Sequence, residues 1–126
     1  MENLKQRAVQ AAERFLYRRG YEIVDVGWKS PAGGIDIVAR DGDELVFVEV
    51  AARDGASAGF PPNRNGGELR ARREGAAVAY LAENIADEGP VRFDDVALVI
   101  VAPDRALIRH HINSLSACEE ALAGVA

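Results

Sequence analysis

Two short apolar runs joined by a tight acidic turn place the strongest constraint on how this chain can fold. The stretch from residue 33 to residue 53 reads GGIDIVARDGDELVFVEVAAR, and its Asp41-Gly42 pair is typical of a β-hairpin turn. Each run carries one carboxylate among apolar side chains, Asp36 in the first and Glu49 in the second. A purely structural core strand does not carry an acid in its middle, so the pattern predicts a functional site on two paired strands.

Strand geometry predicts that the two carboxylates meet. Side chains alternate along a strand, so Glu49 shares a face with Ala51, and Asp36 shares a face with Gly34. If the two runs pair across the turn, Asp36 and Glu49 converge on one point. Magnesium takes a few carboxylates together with waters and substrate phosphate, so we expect these two residues to hold Mg²⁺ or Mn²⁺. The alternative is a hydrogen-bonded pair of acids left at a former site.

Residues 1–126 read as a single α/β domain, because 48% of the chain is hydrophobic and no internal repeat is visible. The apolar periodicities and breaker residues predict a helix over 2–19, strands over 21–28, 34–39 and 44–51, a mobile loop over 53–67, a helix over 68–86, strands over 96–102 and 106–112, and a tail or short helix over 114–126. The first three strands are antiparallel, and the second helix permits a parallel crossover to the fourth. We therefore expect a central mixed sheet flanked by helices.

The distribution of charge says more about partners than the net charge of −5. Residues 1–20 carry five basic and two acidic side chains, and residues 64–73 carry four arginines and one glutamate. Residues 34–54 instead hold six acids and two arginines. Basic segments on both sides of an acidic centre suit a phosphate backbone lying over a metal site, although arginines on exposed helix faces are also ordinary solubilising residues. Basic side chains at the start of the second helix oppose its dipole, which favours a partner outside the helix.

No apolar stretch of the chain approaches the length of a membrane span, and its first residues lack a basic-then-apolar signal segment. The single cysteine, Cys118, excludes an internal disulfide and a cysteine-based metal site. We therefore expect a soluble cytoplasmic protein with no membrane partner.

Several short motifs occur between residues 8 and 113: Arg14-Phe15-Leu16 with Gly20-Tyr21, Gly34-Ile35-Asp36-Ile37, Val46-Phe47-Val48-Glu49-Val50 with Arg53, Tyr80-Leu81, Arg92-Phe93-Asp94 and His111-Ile112-Asn113. In this order and spacing the chain resembles the YraN-like family, small bacterial proteins of the PD-(D/E)xK restriction-endonuclease-like superfamily. The resemblance implies a restriction-endonuclease-like αβββαβ core with the acids at the middle of the sheet.

The chain departs from this family at positions that the resemblance makes catalytic. Gly34 stands where the family's second-strand motif has glutamate, and Ala51 stands where its third-strand motif has lysine. An acid of the first helix is also missing near Val9. The resemblance implies that the lysine orients the attacking water and stabilises developing charge, so its loss removes on the order of several kcal/mol of transition-state stabilisation. Asp36 and Glu49 are the acids that carry over.

We interpret the chain as a nucleic-acid-binding protein, with DNA favoured over RNA, whose endonuclease site is degenerate and inactive. The predicted phosphate-binding residues are Arg53, Arg64, Arg70, Arg72 and Arg73. One alternative is an active Mg-dependent endonuclease on branched or structured DNA, in which Lys29 replaces the missing lysine. The other is a scaffold that binds a protein partner and no nucleic acid.

Two further features have structural rather than chemical interpretations. Adjacent residues of a strand point to opposite faces, so His110 and His111 are predicted to be polar residues at a strand end rather than a pair of metal ligands. Trp28 is predicted to be a packing residue rather than a platform for stacking bases.

Overall fold

The chain folds into a helix, three strands, a second helix and three further strands. The computed structural model describes residues 3–55, 59–61, 66–84, 88–115 and 120–124. The elements are α1 (Leu4–Arg18), β1 (Glu22–Ser30), β2 (Gly33–Asp41), β3 (Glu44–Asp54), α2 (Gly67–Glu83), β4 (Gly89–Ala102), β5 (Arg105–His111) and β6 (Glu120–Leu122). The predicted αβββαβ order is confirmed. Neither described helix combines the length and apolar character needed to cross a membrane.

All six strands form one mixed sheet in the order β1-β2-β3-β4-β5, with β6 also paired to β4. The first three strands are antiparallel, whereas β3 and β4 run parallel, so α2 forms the crossover between them. The last two strands pair with successive parts of β4, β5 with residues 95–102 and β6 with residues 89–91. Two adjacent parallel strands, β3 and β4, therefore lie at the centre of an otherwise antiparallel sheet.

The two helices cover opposite faces of the sheet, as the alternation along β3 shows. One buried cluster joins α1 to one face of β3, and its members from these two elements are Ala8, Ala12, Leu16, Val46, Val48 and Val50. A second cluster joins α2 to the other face, and its members from these two elements are Leu45, Phe47, Ala76, Ala77 and Tyr80. The predicted division of β3 into two faces is thus confirmed.

The C-terminal segment differs from its prediction as a tail or short helix. Residues 120–122 form β6, because their backbone pairs with residues 89–91 of β4, and this tertiary pairing overrides local helix propensity. Residues 116–119 lie outside the described part of the chain. The loop predicted over 53–67 is narrower at both ends, because β3 continues to Asp54 and α2 begins at Gly67. Residues 56–58 and 62–65 of that loop also lie outside the described residues.

β4 begins seven residues before the strand predicted from residue 96, because the prediction stopped at the charged residues that precede it. One of them, Asp94, has a fully buried carboxylate. Arg92 donates to its two oxygens at 2.9 and 3.0 Å, His110 Nε2 donates at 2.7 Å, and the Asn113 backbone N–H donates at 2.9 Å. These charges interrupt the apolar run in the sequence, but the ion pair satisfies them inside the core. Arg92 also donates to Tyr21, Asp41 and Glu44.

His110 lies near the end of β5, as predicted, but the sequence did not indicate that its side chain is buried. Its side chain is only 4% exposed and is bonded to Asp94. The edges of Phe15 and Tyr21 pack against it, with ring centroids at 6.1 and 5.6 Å. Because the sequence shows only that adjacent histidines face opposite ways, it could not tell that one of them enters the core.

We expect Asp94→Asn to lower the free energy of unfolding by about 3 kcal/mol, because it removes the buried charged partner of the Arg92 guanidinium and leaves its ion pairs with the more exposed Asp41 and Glu44. Urea denaturation at pH 7 measures the change. Asp104→Asn is the matched control, since Asp104 is an exposed residue between β4 and β5. A loss at position 94 no larger than at position 104 would contradict the structural role of the pair.

The loss of stability in Asp94→Asn should depend on pH. Burial by itself raises the pKa of Asp94, but the hydrogen bonds from His110, Arg92 and Asn113 outweigh it and hold the pKa below its usual range. A depressed pKa stabilises the fold fully above the unfolded pKa of about 4, and this contribution is lost as the pH falls through the folded value. The stability gap between wild type and Asp94→Asn should therefore narrow below about pH 4. A constant gap down to pH 2 would refute this explanation.

Candidate functional site

The candidate site lies where β2 and β3 separate. Their backbone pairing starts beside the predicted hairpin turn and ends at the Ile37–Val48 pair. Beyond that pair the backbone N–H of Val50 donates to the Asp36 carboxylate at 2.8 Å, where a continued ladder would supply a backbone carbonyl. The side chain of Asp36 therefore takes the place of a neighbouring strand at this point.

The strict alternation predicted along β2 is also broken at Asp36. Ile35 packs in the α2-side cluster and Ile37 in the α1-side cluster, although residues two apart in a regular strand share a face. Gly27 lies opposite this point on β1 and has φ 66°, a left-handed conformation that favours glycine. The irregular backbone of both strands turns Asp36 toward the gap beside β3.

The gap opens into a cavity of about 820 Å³. Its acidic lining residues in the described part of the chain are Asp36, Glu49 and Asp95, and its basic ones are Lys29, Arg53, Arg72, Arg73 and Arg109. Gly34 and Ala51, the two positions that depart from the family motifs, line it as well. The structure therefore brings the predicted acids Asp36 and Glu49 into one cavity.

Lys5, which the sequence interpretation counted only as part of the basic first helix, reaches this site from α1. Its ammonium group donates to the Asp36 carboxylate at 2.8 Å and also to the backbone carbonyl of Val50. The Lys5 side chain is 49% exposed and that of Asp36 is 20% exposed, so the pair lies at the boundary between the site and solvent. A single ammonium thus joins α1, β2 and β3.

A second ion pair closes the opposite side of the cavity. Arg73 of α2 donates to the Asp95 carboxylate at 2.7 Å and to the Asp94 backbone carbonyl at 3.0 Å. The side chains of Arg73 and Asp95 are only 10% and 15% exposed. The early arginines of α2 were predicted to have a partner outside the helix, and for Arg73 the chain itself supplies one.

Glu49 is the third acid of the cavity and lies beside Asp95 in the register of β3 and β4. Water reaches its side chain, yet the cavity walls remove part of its solvation. This burial raises the pKa of Glu49, and the negative charge of Asp36 raises it further, whereas Lys5 and Arg73 act in the opposite direction. With residues that the structure describes, Glu49 forms no hydrogen bond or ion pair.

The other residues predicted for the site have different outcomes. Lys29, Arg53 and Arg72 line the cavity, so their side chains are placed to meet a ligand there. Arg70 instead lies 3.6 Å from Glu74 one turn along α2, where both side chains are exposed. Arg64 lies outside the described residues, and its predicted role is untested.

Two aromatic residues flank the cavity in different ways. Trp28 packs edge-on against Tyr80, with ring centroids 5.2 Å apart, which confirms its predicted packing role. At another part of the lining the Arg109 guanidinium lies over the Phe60 ring, 4.1 Å from the ring centroid. That contact places a cation and an aromatic face side by side in the cavity.

One known protein family matches the part of the chain that forms most of this site. A family model described as "Uncharacterised protein family UPF0102" matches residues 9–98. The chain belongs to this family. The predicted YraN-like membership is thereby confirmed.

Three UPF0102 proteins of bacteria show how far the similarity extends. The one from Beutenbergia cavernae is 38% identical over 101 residues, which cover 80% of this chain and 86% of that protein. The one from Roseiflexus castenholzii is 43% identical over 90 residues, which cover 71% and 73%. The one from Geobacter sulfurreducens is 36% identical over 108 residues, which cover 86% and 84%. The family model therefore spans β1, β2, β3, α2 and most of β4, whereas β5, which also lines the cavity, lies beyond the matched residues.

The sequence interpretation of this UPF0102 chain missed Lys5, Asp95 and Arg109. A signal for Lys5 was present, because Lys5 precedes the buried residues Ala8 and Ala12 at i, i+3 and i+7 spacing and so belongs to the sheet-facing stripe of α1. A lone lysine in such a stripe indicates a charged partner on the sheet. Asp95 and Arg109 carry no comparable signal, because only the pairing of β3, β4 and β5 brings them to the site.

The raised pKa of Glu49 can be measured directly. We expect the carboxyl carbon of Glu49 to titrate above the usual glutamate range in a ¹³C NMR titration, and we expect Asp36→Asn to lower that pKa by removing a neighbouring negative charge. Asp104→Asn, at an exposed turn, should leave the titration of Glu49 unchanged. If Glu49 titrates at its ordinary value in the unmodified protein, the described arrangement of charges is wrong.

Proposed function

We propose that this UPF0102 protein binds nucleic acid through a cavity of the restriction-endonuclease-like type whose catalytic site is inactive. Three features support the proposal. The αβββαβ order is the one that the superfamily resemblance implies, Asp36 and Glu49 lie together where the central strands separate, and arginines surround them. DNA is the favoured partner.

The observation that carries this proposal is the excess of positive charge around the cavity. The whole chain has a net charge of −5, whereas five basic and three acidic side chains of the described residues line the cavity. Two of those acids, Asp36 and Asp95, are already paired with Lys5 and Arg73. The negative charge of these acids is thus largely neutralised. The other basic side chains of the lining, here called the rim cations, attract phosphate groups; they are Lys29, Arg53, Arg72 and Arg109.

The rim cations come from separate elements, as a phosphate-binding surface requires. Lys29 and Arg53 are each next to the last residue of their strands, β1 and β3. Arg72 lies in the first half of α2, and Arg109 belongs to β5. A nucleic-acid strand over the cavity would therefore meet cations on several sides. The stacked Arg109 and Phe60 add a surface suited to the face of an unpaired base.

In this proposal catalysis is lost because of the residues at positions 34 and 51, where the chain departs from the family motifs. Ala51 and Gly34 line the cavity but bring neither an ammonium group nor a carboxylate to it. A Cβ atom at position 34 would lie 3.3 Å from the backbone carbonyl of Trp28, so any side chain there requires a small local shift. Arg53 cannot act as a base at the site, because a guanidinium stays protonated at neutral pH.

Binding should depend on salt and on the rim arginines. We expect fluorescence anisotropy with labelled single-stranded, duplex and four-way-junction DNA to show affinity that falls steadily from 50 to 200 mM salt, with Arg72→Gln weakening it and reducing the salt slope by about one. Arg105→Gln is the matched control, because Arg105 is exposed and does not line the cavity. Absence of binding at low salt favours the protein-binding scaffold.

We expect no cleavage of any of these DNA substrates when the protein is incubated with Mg²⁺ or Mn²⁺. The cavity lining offers one lysine, Lys29, that would restore activity if the active-endonuclease alternative is correct. Metal-dependent cleavage that disappears in both Asp36→Ala and Lys29→Ala would establish that alternative. Cleavage that survives Asp36→Ala identifies a contaminating nuclease and leaves the predicted inactivity standing.

A further inference from the structure

We infer that the ammonium group of Lys5 is the resident cation of this site and occupies the position that a divalent metal would otherwise take. Its contacts define that position, since the ammonium joins a carboxylate oxygen of Asp36 to the backbone carbonyl oxygen of Val50. Carboxylate and carbonyl oxygens are the ligands that hard divalent cations take from proteins. The chain therefore supplies from α1 the positive charge that its oxygens require.

The donor set as arranged does not fit a divalent cation. Among the residues that the structure describes, no cluster of three histidine, cysteine or acidic side chains is placed to hold one. The Asp36 oxygen and the Val50 carbonyl both accept from Lys5, and Arg73 holds Asp95. A metal at this point would have to displace the ammonium, because two cations cannot share the same two oxygens. Of the three acids that line the cavity in the described part of the chain, Glu49 is the one that neither Lys5 nor Arg73 holds.

The start and the packing of α1 do not depend on the Lys5 ammonium group. Lys5 is the second residue of the helix, and the helix start is fixed independently by a capping box in which Asn3 and Gln6 exchange hydrogen bonds at 2.8 and 3.0 Å. The helix is held on the sheet by the buried residues Ala8, Ala12 and Leu16. Removing the half-exposed ammonium therefore leaves α1 its cap and its packing.

This inference rests on the proposed site at Asp36 and Glu49 but does not require nucleic-acid binding. It supplies a physical reason for the proposed inactivity besides the residues at positions 34 and 51. A built-in ammonium pairs with Asp36, but it brings no coordinated water that could attack a phosphate. Nucleic acid would then meet a site that is charge-balanced without any metal.

A Mn²⁺ titration without nucleic acid tests the inference, with the EPR signal of unbound Mn²⁺ as the readout. We expect no saturable binding to the unmodified protein up to about millimolar Mn²⁺, and at least a tenfold gain in affinity in Lys5→Gln and in Lys5→Met, which keeps part of the apolar stem. Arg105→Gln makes the same change of charge outside the cavity and should bind no better than the unmodified protein. Adding Asp36→Asn to Lys5→Gln should abolish the gain.

Two results would overturn the inference. One is saturable Mn²⁺ binding to the unmodified protein that Asp36→Asn removes and that Lys5→Gln does not strengthen. The other needs no Lys5 variant, so it holds even if both Lys5 variants fail to fold. In ¹⁵N NMR the Lys5 ammonium should give a slowly exchanging signal that Asp36→Asn removes, and an ammonium signal unaffected by Asp36→Asn would show that Lys5 does not occupy the site.

Discussion

The separation of β2 from β3 beyond the Ile37–Val48 pair is the constraint on which the rest of the site depends. It leaves the N–H and the carbonyl of Val50 without a neighbouring strand, and buried backbone groups of this kind must find partners. Asp36 accepts from the N–H, and Lys5 donates to the carbonyl. These two side chains therefore complete the sheet at the place where its ladder stops.

This structural duty gives Asp36 a reason to be present that does not involve catalysis. The carboxylate caps β3, and replacing it with an apolar side chain would leave the N–H of Val50 unsatisfied at a cost of about 1–3 kcal/mol. Asp36 is bonded to the backbone and to Lys5, and it influences Glu49 through its charge.

The two neighbouring carboxylates of β4, those of Asp94 and Asp95, lie in different surroundings. Asp94 lies fully buried among hydrogen-bond donors, whereas its neighbour Asp95 faces the cavity and is held by Arg73. Arg73 contacts both residues, through the backbone carbonyl of Asp94 and the carboxylate of Asp95. The buried network in the first half of β4 and the ion pair that borders the cavity are thus adjacent, and Arg73 contacts both.

The sequence by itself determined the helices, the hairpin, the central strands and the acids Asp36 and Glu49, because local periodicity and turn chemistry set all of these features. It also marked Lys29, Arg53 and Arg72 as cations that the cavity later proves to contain. Tertiary structure alone decided the roles of Lys5, Asp95 and His110 and the strand at residues 120–122. The physical reason is that each of these depends on a partner distant in sequence, and only the pairing of strands and the docking of α1 bring those partners together.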